Sequence, residues 1–450
     1  MSTRRANGVA YAMSLALGVL GACSPTPPTL VVIGGGPAGL AAAVEAAGAG
    51  ARVTVFEGDE FVGGSARWAG GVTFVPTPDE RQAWDALAGS PSASRDRYAT
   101  TVQTAFIDWS GVSFNSVPDP SGDGATLFAP SGGGMAIVAA LVTRAEAAGV
   151  AVHTGCRVTD LSRAEATWEV KGACGPMTAD RVLIATGGFM GNLDEARRRL
   201  GVPPDVTLLR SAPSSSDGSG LGLAEGVGVP VADQLRGIVY SHSVPLPRSP
   251  LEAGMIMRPP PGSLVVDTRG RPHPELLHVR GESGARLLDL PKGMAWLVGA
   301  EAAWGRASAH WLGGRPIPLG AVADAHGARG ADIDALSAAV GLPADMMRTY
   351  VGVMGEGPSA DRPLPSTGPY LAVPLHASPA KSLGGLPVDG EGRVLDEAGV
   401  PIPGLYAAGE VTGFGLPYGA APRDSTMVAG AVLTGRAAGK AAAANAKQGQ

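Results

Sequence analysis

Three glycines interrupt an apolar run near the start of the chain and determine what this region can form. The run reads Leu-Val-Val-Ile-Gly-Gly-Gly-Pro-Ala-Gly-Leu and contains Gly34, Gly36 and Gly39. In a strand–turn–helix unit the first glycine permits a tight turn, the second lets a pyrophosphate approach the backbone, and the third lets the helix pack closely. A second strand, Arg52–Phe56, follows and ends at Glu57. This order predicts a βαβ unit that binds a dinucleotide, with the pyrophosphate at the helix N-terminus and a ribose hydroxyl on Glu57.

Length and charge narrow the class of protein. A chain of 450 residues can form two or three domains, each with its own core. The net charge of −5 gives no basic face, so we expect no nucleic-acid partner. Because the chain contains 67 glycines, an isolated glycine motif can also be an ordinary turn. The strand, helix and acid around Gly34–Gly39 favour the cofactor site instead.

The cysteines point to no metal or haem site. Cys23, Cys156 and Cys174 are too few for a disulfide framework, and none forms a Cys-x-x-Cys metal or redox pair. No Cys-x-x-Cys-His is present, so we expect no c-type haem on this chain. Any electron delivery must then involve another protein or a soluble carrier.

The first residues resemble an export signal. Arg4 and Arg5 precede an apolar run, Val9–Leu20, and the sequence Leu-Gly-Ala-Cys ends at Cys23. This pattern is typical of a lipoprotein leader over 1–23, with a possible lipid anchor at Cys23 and a Pro-rich linker over 24–28. We therefore expect an exported protein, periplasmic or held to a membrane by its lipid. The alternative is a cytoplasmic enzyme whose start codon lies further downstream.

Patterns along the chain predict an α/β fold with an insertion. A second glycine-rich loop spans Gly63–Gly71, and a strand at Trp168–Val170 with another at Arg181–Ala185 predicts an antiparallel hairpin region. Prolines become dense from about 238 to 381, where helices are expected around 294–310 and 332–354. A last helix is predicted over Met427–Ala444.

These elements predict a Rossmann-like domain, a βαβ parallel sheet with an antiparallel hairpin, which carries an inserted α+β capping domain. The expected boundaries are 29–238 for the first part of the nucleotide-binding domain, 239–381 for the capping domain and 382–450 for the C-terminal part.

Several further stretches resemble one known family. The chain is similar, from about 29 to 445, to the flavoproteins of fumarate reductase and succinate dehydrogenase, a family that includes 3-ketosteroid dehydrogenases. The segment Pro-Gly-Leu-Tyr-Ala-Ala-Gly-Glu-Val is especially close to the C-terminal flavin motif of that family. The matching stretches are Gly34–Gly39, Gly63–Gly71, Ala185–Phe189, Ser216–Gly228, Ser382–Val388 and Gly404–Gly413.

The resemblance implies FAD, held noncovalently because the second glycine loop lacks the histidine that binds flavin covalently in some members. It places Glu410 at the ribityl chain. The alternative is that Glu410 is a solvated acidic residue in a loop. The start of the last helix would face the pyrimidine edge of the flavin, where its dipole favours negative charge. The cofactor residues implied are Gly34, Gly36, Pro37, Ala38, Gly39, Glu57, Gly64, Ser65, Gly70, Gly71, Val158, Thr186, Gly187, Asp217, Gly409, Glu410, Met427 and Val428.

The same resemblance implies a substrate site between flavin and cap. Arg280 would relay a proton, while His242, Lys381 and Arg423 would orient an acyl group and Tyr418 could hydrogen-bond a carbonyl. The alternatives are that His242 lies on the surface and that Arg280 is exposed on a helix. Arg423 could instead form a salt bridge in a turn, and Tyr418 could be a packed side chain. Lysine stands where fumarate reductases carry a histidine, and the 416–425 loop departs from the family pattern, so fumarate itself is not the expected substrate.

The sequence therefore predicts an FAD-dependent oxidoreductase that transfers hydride between flavin N5 and a C–C bond next to a carboxylate or ketone. Reduction of an unsaturated acid is the leading hypothesis, and desaturation of a 3-ketosteroid is the alternative. A third hypothesis, from another class, is a noncatalytic flavin subunit that carries electrons. The expected partners are a small-molecule substrate and an external electron donor or acceptor.

Overall fold

The computed structural model describes residues 26–75, 103–118, 126–232, 235–247, 254–257, 259–277, 283–304, 307–309, 317–351, 364–365, 367–413 and 426–444. Their strands are β1 Thr29–Ile33, β2 Arg52–Phe56, β3 Thr73–Val75, β4 Phe114–Pro118, β5 Thr126–Pro130, β6 Ala151–His153, β7 Val158–Ala164, β8 Thr167–Gly172, β9 Met177–Ala179, β10 Arg181–Ile184, β11 Arg236–Pro245, β12 Gly254–Ile256, β13 Leu264–Val266, β14 Met294–Ala300, β15 Ser308–Ala309, β16 Ile317–Pro318, β17 Ala328–Gly330, β18 Tyr370–Leu383, β19 Arg393–Leu395 and β20 Pro401–Ala407.

The α-helices are α1 Pro37–Gly48, α2 Gly133–Ala147, α3 Leu193–Leu200, α4 Ser219–Glu225, α5 Ser283–Leu288, α6 Glu301–Trp304, α7 Leu319–His326, α8 Ile333–Val340, α9 Ala344–Thr349 and α10 Met427–Ala444. Short 3₁₀ turns lie at Gly64–Trp68, Pro274–Leu277, Pro291–Gly293 and Gly409–Val411, and a π-helical segment lies at Gln103–Asp108.

A six-stranded sheet in the order β19-β20-β10-β1-β2-β6 contains the first βαβ unit. β1 pairs in parallel with β10 on one side and β2 on the other. Alternate residues of β1 enter two separate cores, Leu30 and Val32 on one face and Val31 and Ile33 on the other. Burial on both faces explains why β1 reads as an unbroken apolar run. The predicted α/β class with a Rossmann-like parallel sheet is confirmed.

One predicted strand belongs to a different sheet. The sequence analysis assigned Arg181–Ala185 to an antiparallel hairpin, but β10 lies in the parallel sheet between β1 and β20. The reason is that Val182, Leu183 and Ile184 are all buried, as a strand covered on both faces requires. The antiparallel hairpin does exist, and it consists of β7, β8 and β9.

The closing helix α10 packs directly on α1. A Cβ atom on Gly435 would lie 2.2 Å from the carbonyl oxygen of Ala38, and one on Gly439 would lie 2.2 Å from that of Ala42. Both distances are far below van der Waals contact, so only glycine allows the two backbones to approach this closely. This contact returns the C-terminal segment to the first βαβ unit.

A second sheet, β12-β11-β18-β14-β13 with β17 beside β18, lies between β10 and β20 along the chain. The helix predicted around 294–310 is wrong, because half of its described part is the strand β14 and only α6 is helical. Ala295 and Leu297 enter one core, whereas Val298 and Ala300 enter another. Apolar residues on both faces make such a strand hard to distinguish from a buried helix by sequence. The expected helix around 332–354 corresponds to α8 and α9.

Cys156 and Cys174 form a disulfide across the base of the β7–β8 hairpin, with 5.2 Å between their Cα atoms. The small number of cysteines was interpreted as too few for a framework of several disulfides, and it did not predict this single bridge. The two residues are 18 positions apart, and only the pairing of β7 with β8 brings them together.

The described residues include neither a membrane-spanning helix nor a metal site. Within them, no helix combines the length and apolar character needed to cross a membrane. No group of three or more His, Cys, Asp or Glu side chains in the same part of the chain is arranged to hold a metal ion.

We predict that Gly435→Ala lowers the free energy of unfolding by about 1–3 kcal/mol, because the added methyl group overpacks the α1–α10 contact. Gly222→Ala in α4 is the matched control, since a Cβ there meets no atom within 4 Å. Urea unfolding of the two variants and the parent measures the effect. Equal stability of Gly435→Ala and the parent would show that the two helices are not in close contact.

Candidate functional site

A cavity of about 400 Å³ lies where the first βαβ unit, the second glycine loop, β18 and the start of α10 meet. This size is within the range of about 300–1,000 Å³ typical of ligand sites. Most of the predicted cofactor residues line it, together with Lys381: Gly34, Gly36, Pro37, Ala38, Glu57, Gly64, Ser65, Gly70, Gly71, Val158, Thr186, Gly187, Glu410, Met427 and Val428.

The glycine turn leaves room for a pyrophosphate. Gly34 has a φ of +108°, and a Cβ on it would lie 2.4 Å from the Ala185 carbonyl oxygen. A Cβ on Gly39 would lie 1.9 Å from the carbonyl oxygen of Gly34, so α1 starts in close contact with the turn. At Gly36, by contrast, a Cβ would meet nothing within 4 Å. The turn therefore presents an open backbone surface at the N-terminus of α1, where free N–H groups favour an anion.

Glu57 directly follows β2, and its carboxylate is buried. Its Oε2 accepts a hydrogen bond from the Gly35 N–H and its Oε1 accepts one from the Asp59 N–H, both at 2.8 Å. Burial raises the pKa of Glu57, and these backbone hydrogen bonds oppose the rise. Each oxygen keeps a further lone pair. The carboxylate can therefore accept the hydroxyls of a ribose in the cavity.

Glu410 is a second buried carboxylate at the other side of the cavity. The Ser382 N–H donates to its Oε1 at 2.8 Å, and Gly188 leaves the space that the carboxylate occupies. Burial raises the pKa of Glu410, while the positive charge of Lys381 opposes the rise. Glu410 is only 9% exposed, so the alternative of a solvated loop acid is wrong.

Lys381 and Tyr240 enter the cavity from neighbouring strands of the second sheet. Lys381 on β18 is paired with Ile238 on β11, and Tyr240 on β11 is paired with Ser378. Both Lys381 and Tyr240 line the cavity. The sequence analysis did not single out Tyr240, although its position two residues before His242 on a strand is a usable signal.

His242 does not line the cavity. Its ring is fully buried, with Nδ1 3.0 Å from the Ser241 hydroxyl oxygen and Nε2 hydrogen-bonded to the Leu276 carbonyl. A bulge in the β11–β18 pairing between Tyr240 and Ser243 changes the strand register there. The structure thus brings Lys381 to the cavity but not His242, and the alternative of a surface histidine is also wrong.

Three predicted cofactor residues support the cavity without lining it. Gly39 packs beneath the glycine turn, and the Gly409 N–H donates to the Thr434 hydroxyl at 3.0 Å. Asp217 accepts from the Ser219 N–H at 2.9 Å and forms an ion pair with Arg157. Arg157, which the sequence analysis missed, does line the cavity.

Another missed residue is Ser216, whose hydroxyl lies 3.0 Å from that of Ser65 and links the second glycine loop to the segment before α4. The remaining predicted catalytic residues, Arg280, Tyr418 and Arg423, lie outside the described residues.

Comparison with known proteins identifies the kind of site. A family model described as an FAD binding domain matches residues 118–422, more than half of the chain. A second model, described as an HI0933-like protein Rossmann domain, matches residues 28–192. The two matches together cover the whole described cavity apart from the start of α10.

Two relatives and one solved structure illustrate the similarity. A KsdD-like steroid dehydrogenase of Mycobacterium tuberculosis is 47% identical over 81 residues, which cover 18% of this chain and only 14% of that protein. A fumarate reductase (cytochrome) of Shewanella frigidimarina is 23% identical over 93% of this chain and 77% of its own length. The structure of 3-ketosteroid Δ1-dehydrogenase from Sterolibacterium denitrificans superposes with a TM-score of 0.72 at 17% identity, covering 93% of this chain and 100% of that one. At that identity the superposition shows the fold alone.

We predict that Glu57→Gln weakens FAD binding about 10- to 100-fold, because the amide NH₂ would face a backbone N–H and the charged acceptor would be lost. Glu60→Gln, an exposed neighbour, is the control. Titration of apoprotein with FAD, followed by flavin fluorescence, gives both dissociation constants. Equal constants for the two variants would contradict a ribose-binding role for Glu57.

We also predict that Glu410→Gln makes the apoprotein more stable than the parent at pH 7. The raised pKa means that ionised Glu410 costs folding free energy above that pKa, and this cost disappears as the pH falls and the carboxyl takes up a proton. The stability difference should therefore shrink between pH 7 and pH 5 in urea unfolding of FAD-free protein. A difference that grows on acidification would show that the pKa is lowered instead.

Proposed function

We propose that this chain, which belongs to the FAD-binding flavoprotein family of fumarate reductases and 3-ketosteroid dehydrogenases, moves hydrogen across a carbon–carbon bond next to a carboxylate or ketone. One observation carries the proposal. The cavity that begins at the glycine turn is also lined by Lys381 and Tyr240 from the second sheet, one residue with a cationic side chain and one with a phenolic side chain. A cofactor site that ends at such groups suits a substrate with a polarisable acyl oxygen.

FAD is the cofactor, and the residues present fit it. Gly36 and the N-terminus of α1 would hold the pyrophosphate, and Glu57 the ribose of the adenosine end. Glu410 and the start of α10 at Met427 would hold the ribityl and flavin end. When bound, FAD supplies two-electron hydride chemistry. We propose noncovalent binding, since the loop Gly63–Gly71 contains no histidine.

Lys381 is the proposed group that polarises the substrate. Its ammonium makes one hydrogen bond to a described residue, to the Ala380 carbonyl oxygen at 3.4 Å. An ammonium has three donors, so two remain for an acyl oxygen of the substrate. The nearby Glu410, when ionised, offsets the positive charge of Lys381, which limits the cost of burying the cation.

We propose that Tyr240, which lines the cavity together with Lys381, contacts the substrate in the role that the family resemblance suggested for His242. Its phenol can donate a hydrogen bond to the same acyl oxygen. Arg280 as the proton relay, with Arg423 and Tyr418 as further substrate contacts, remains part of the proposal on the family resemblance alone. We likewise propose that the sheet containing β11 and β18 is the cap.

The substrate proposal has two forms. Reduction of an unsaturated acid follows the Shewanella relative, which covers most of this chain. Desaturation of a 3-ketosteroid is favoured by a specific observation, the presence of Tyr240 in the cavity lining together with Lys381, and by the 81-residue match to a steroid dehydrogenase. The direction would follow the electron partner, which we propose to be a separate protein or small carrier.

Export is the proposed location. The disulfide between Cys156 and Cys174 is of the kind that persists in oxidising compartments and is rare in the cytosol. The leader and the lipid anchor at Cys23 lie outside the described residues and rest on the sequence pattern.

The proposal can be tested with photoreduced holoprotein under anaerobic conditions. Reoxidation of the flavin spectrum on adding an unsaturated acid supports the first form. Turnover of 3-ketosteroids with an artificial electron acceptor, with no reoxidation by the acids, supports the second. A reduced spectrum indifferent to every acid and enone, with no steroid turnover, would favour a noncatalytic electron carrier.

We predict that Lys381→Met lowers kcat/KM about 100-fold or more on whichever substrate turns over, because the cation that stabilises the developing negative charge is lost. The flavin spectrum should show that FAD is still bound. Lys171→Met is the control, since Lys171 is half exposed on the β7–β9 sheet and pairs with Glu169. A Lys381→Met rate equal to that of the control would remove Lys381 from the mechanism.

A further inference from the structure

The Cys156–Cys174 disulfide lies against the cavity rather than on a remote surface. Cys156 lies two residues before β7, is only 3% exposed and lines the cavity. Cys174 follows β8 and is exposed. The bridge therefore connects an accessible sulfur to a residue in the wall of the cofactor site.

Backbone hydrogen bonds join the segment around Cys156 to Glu57, the proposed ribose-binding residue. The Cys156 N–H donates to the Glu57 carbonyl oxygen at 2.8 Å, and the Glu57 N–H donates to the His153 carbonyl oxygen at 2.9 Å. The Gly155 N–H donates to the Asp59 carbonyl oxygen at 2.8 Å. The backbone around Glu57 is thus held by residues 153–156, and their position is constrained by the bridge at Cys156.

The next residue, Arg157, closes the same end of the cavity. The Ala173 N–H donates to the Arg157 carbonyl oxygen at 2.9 Å, so the backbone of Arg157 is held by the residue before Cys174. The Arg157 guanidinium pairs with Asp217, which in turn accepts from the Ser219 N–H at the start of α4. Movement at the base of the β7–β8 hairpin would therefore shift both Glu57 and the Arg157–Asp217 pair.

We propose that the disulfide positions the adenosine end of the site, so that FAD is held more tightly when Cys156 and Cys174 are bonded than when they are reduced. The effect concerns cofactor binding and does not depend on the substrate. The cysteines are positioning residues, because they act through Glu57 and Arg157.

Reduction by a dithiol follows ordinary thiol–disulfide exchange. A thiolate of dithiothreitol attacks the accessible sulfur of Cys174, the S–S bond breaks, and Cys156 leaves as a thiolate that takes up a proton. The second thiolate of the reductant then releases Cys174 as a thiol. The protein gains two electrons and two protons, and the reductant becomes a cyclic disulfide.

The test compares the FAD dissociation constant of full-length protein before and after reduction with dithiothreitol, with thiols counted to confirm cleavage. We expect the constant to rise about tenfold on reduction, a change of about 1.4 kcal/mol, and to return after reoxidation with oxidised glutathione. The Cys156→Ser, Cys174→Ser double variant should bind FAD as weakly as reduced protein and should not respond to the reductant.

Cys23→Ser is the matched control and should respond like the parent. An unchanged constant in parent protein that has gained two free thiols on reduction would overturn the proposal. So would a reductant response that persists in the double variant. Thermal unfolding of the apoproteins distinguishes a disulfide that only stabilises the fold from one that affects FAD binding. A lower melting temperature after reduction, with an unchanged FAD dissociation constant, would also overturn the proposal. If the double variant does not fold, the reduced and reoxidised parent still decides the question.

Discussion

The backbone contact between α1 and α10 is the constraint on which the site depends. Gly435 and Gly439 carry no side chains, so the last helix lies directly on Ala38 and Ala42 of the first helix. That packing places Met427 and Val428, at the start of α10, in the wall of the same cavity as the glycine turn. Residues nearly 400 positions apart thereby line one cavity.

Two buried carboxylates lie in the cavity, and both carry raised pKa values caused by burial. Backbone N–H groups hold Glu57, while the Ser382 N–H and the charge of Lys381 hold Glu410. A fold selected for stability alone would avoid such charges. Their presence is consistent with a site arranged for the hydroxyl groups of a cofactor, at some cost to the empty protein.

Local sequence patterns predicted two kinds of element. In the first, burial of one face produces a clear periodicity of apolar residues, and in the second the backbone geometry requires a particular residue type. The βαβ unit, the strand at β8 and the helix α10 belong to these two kinds. The failures at β14 and β10 have a common cause, because a strand buried on both faces has no alternation to distinguish it from a helix or to assign it to a sheet. The disulfide and Tyr240 were missed because both depend on strand pairing.

The amino-acid pattern was enough to predict a dinucleotide, because a pyrophosphate beside a helix N-terminus requires glycines at fixed spacing and the chain has them at Gly34, Gly36 and Gly39. Resemblance of further segments to one flavoprotein family then narrowed the dinucleotide to FAD. Which polar groups line the cavity depended on the tertiary structure. Strand register and one bulge bring Lys381 and Tyr240 into the cavity and turn His242 away from it. Register depends on long-range hydrogen bonds and packing, which no local pattern specifies.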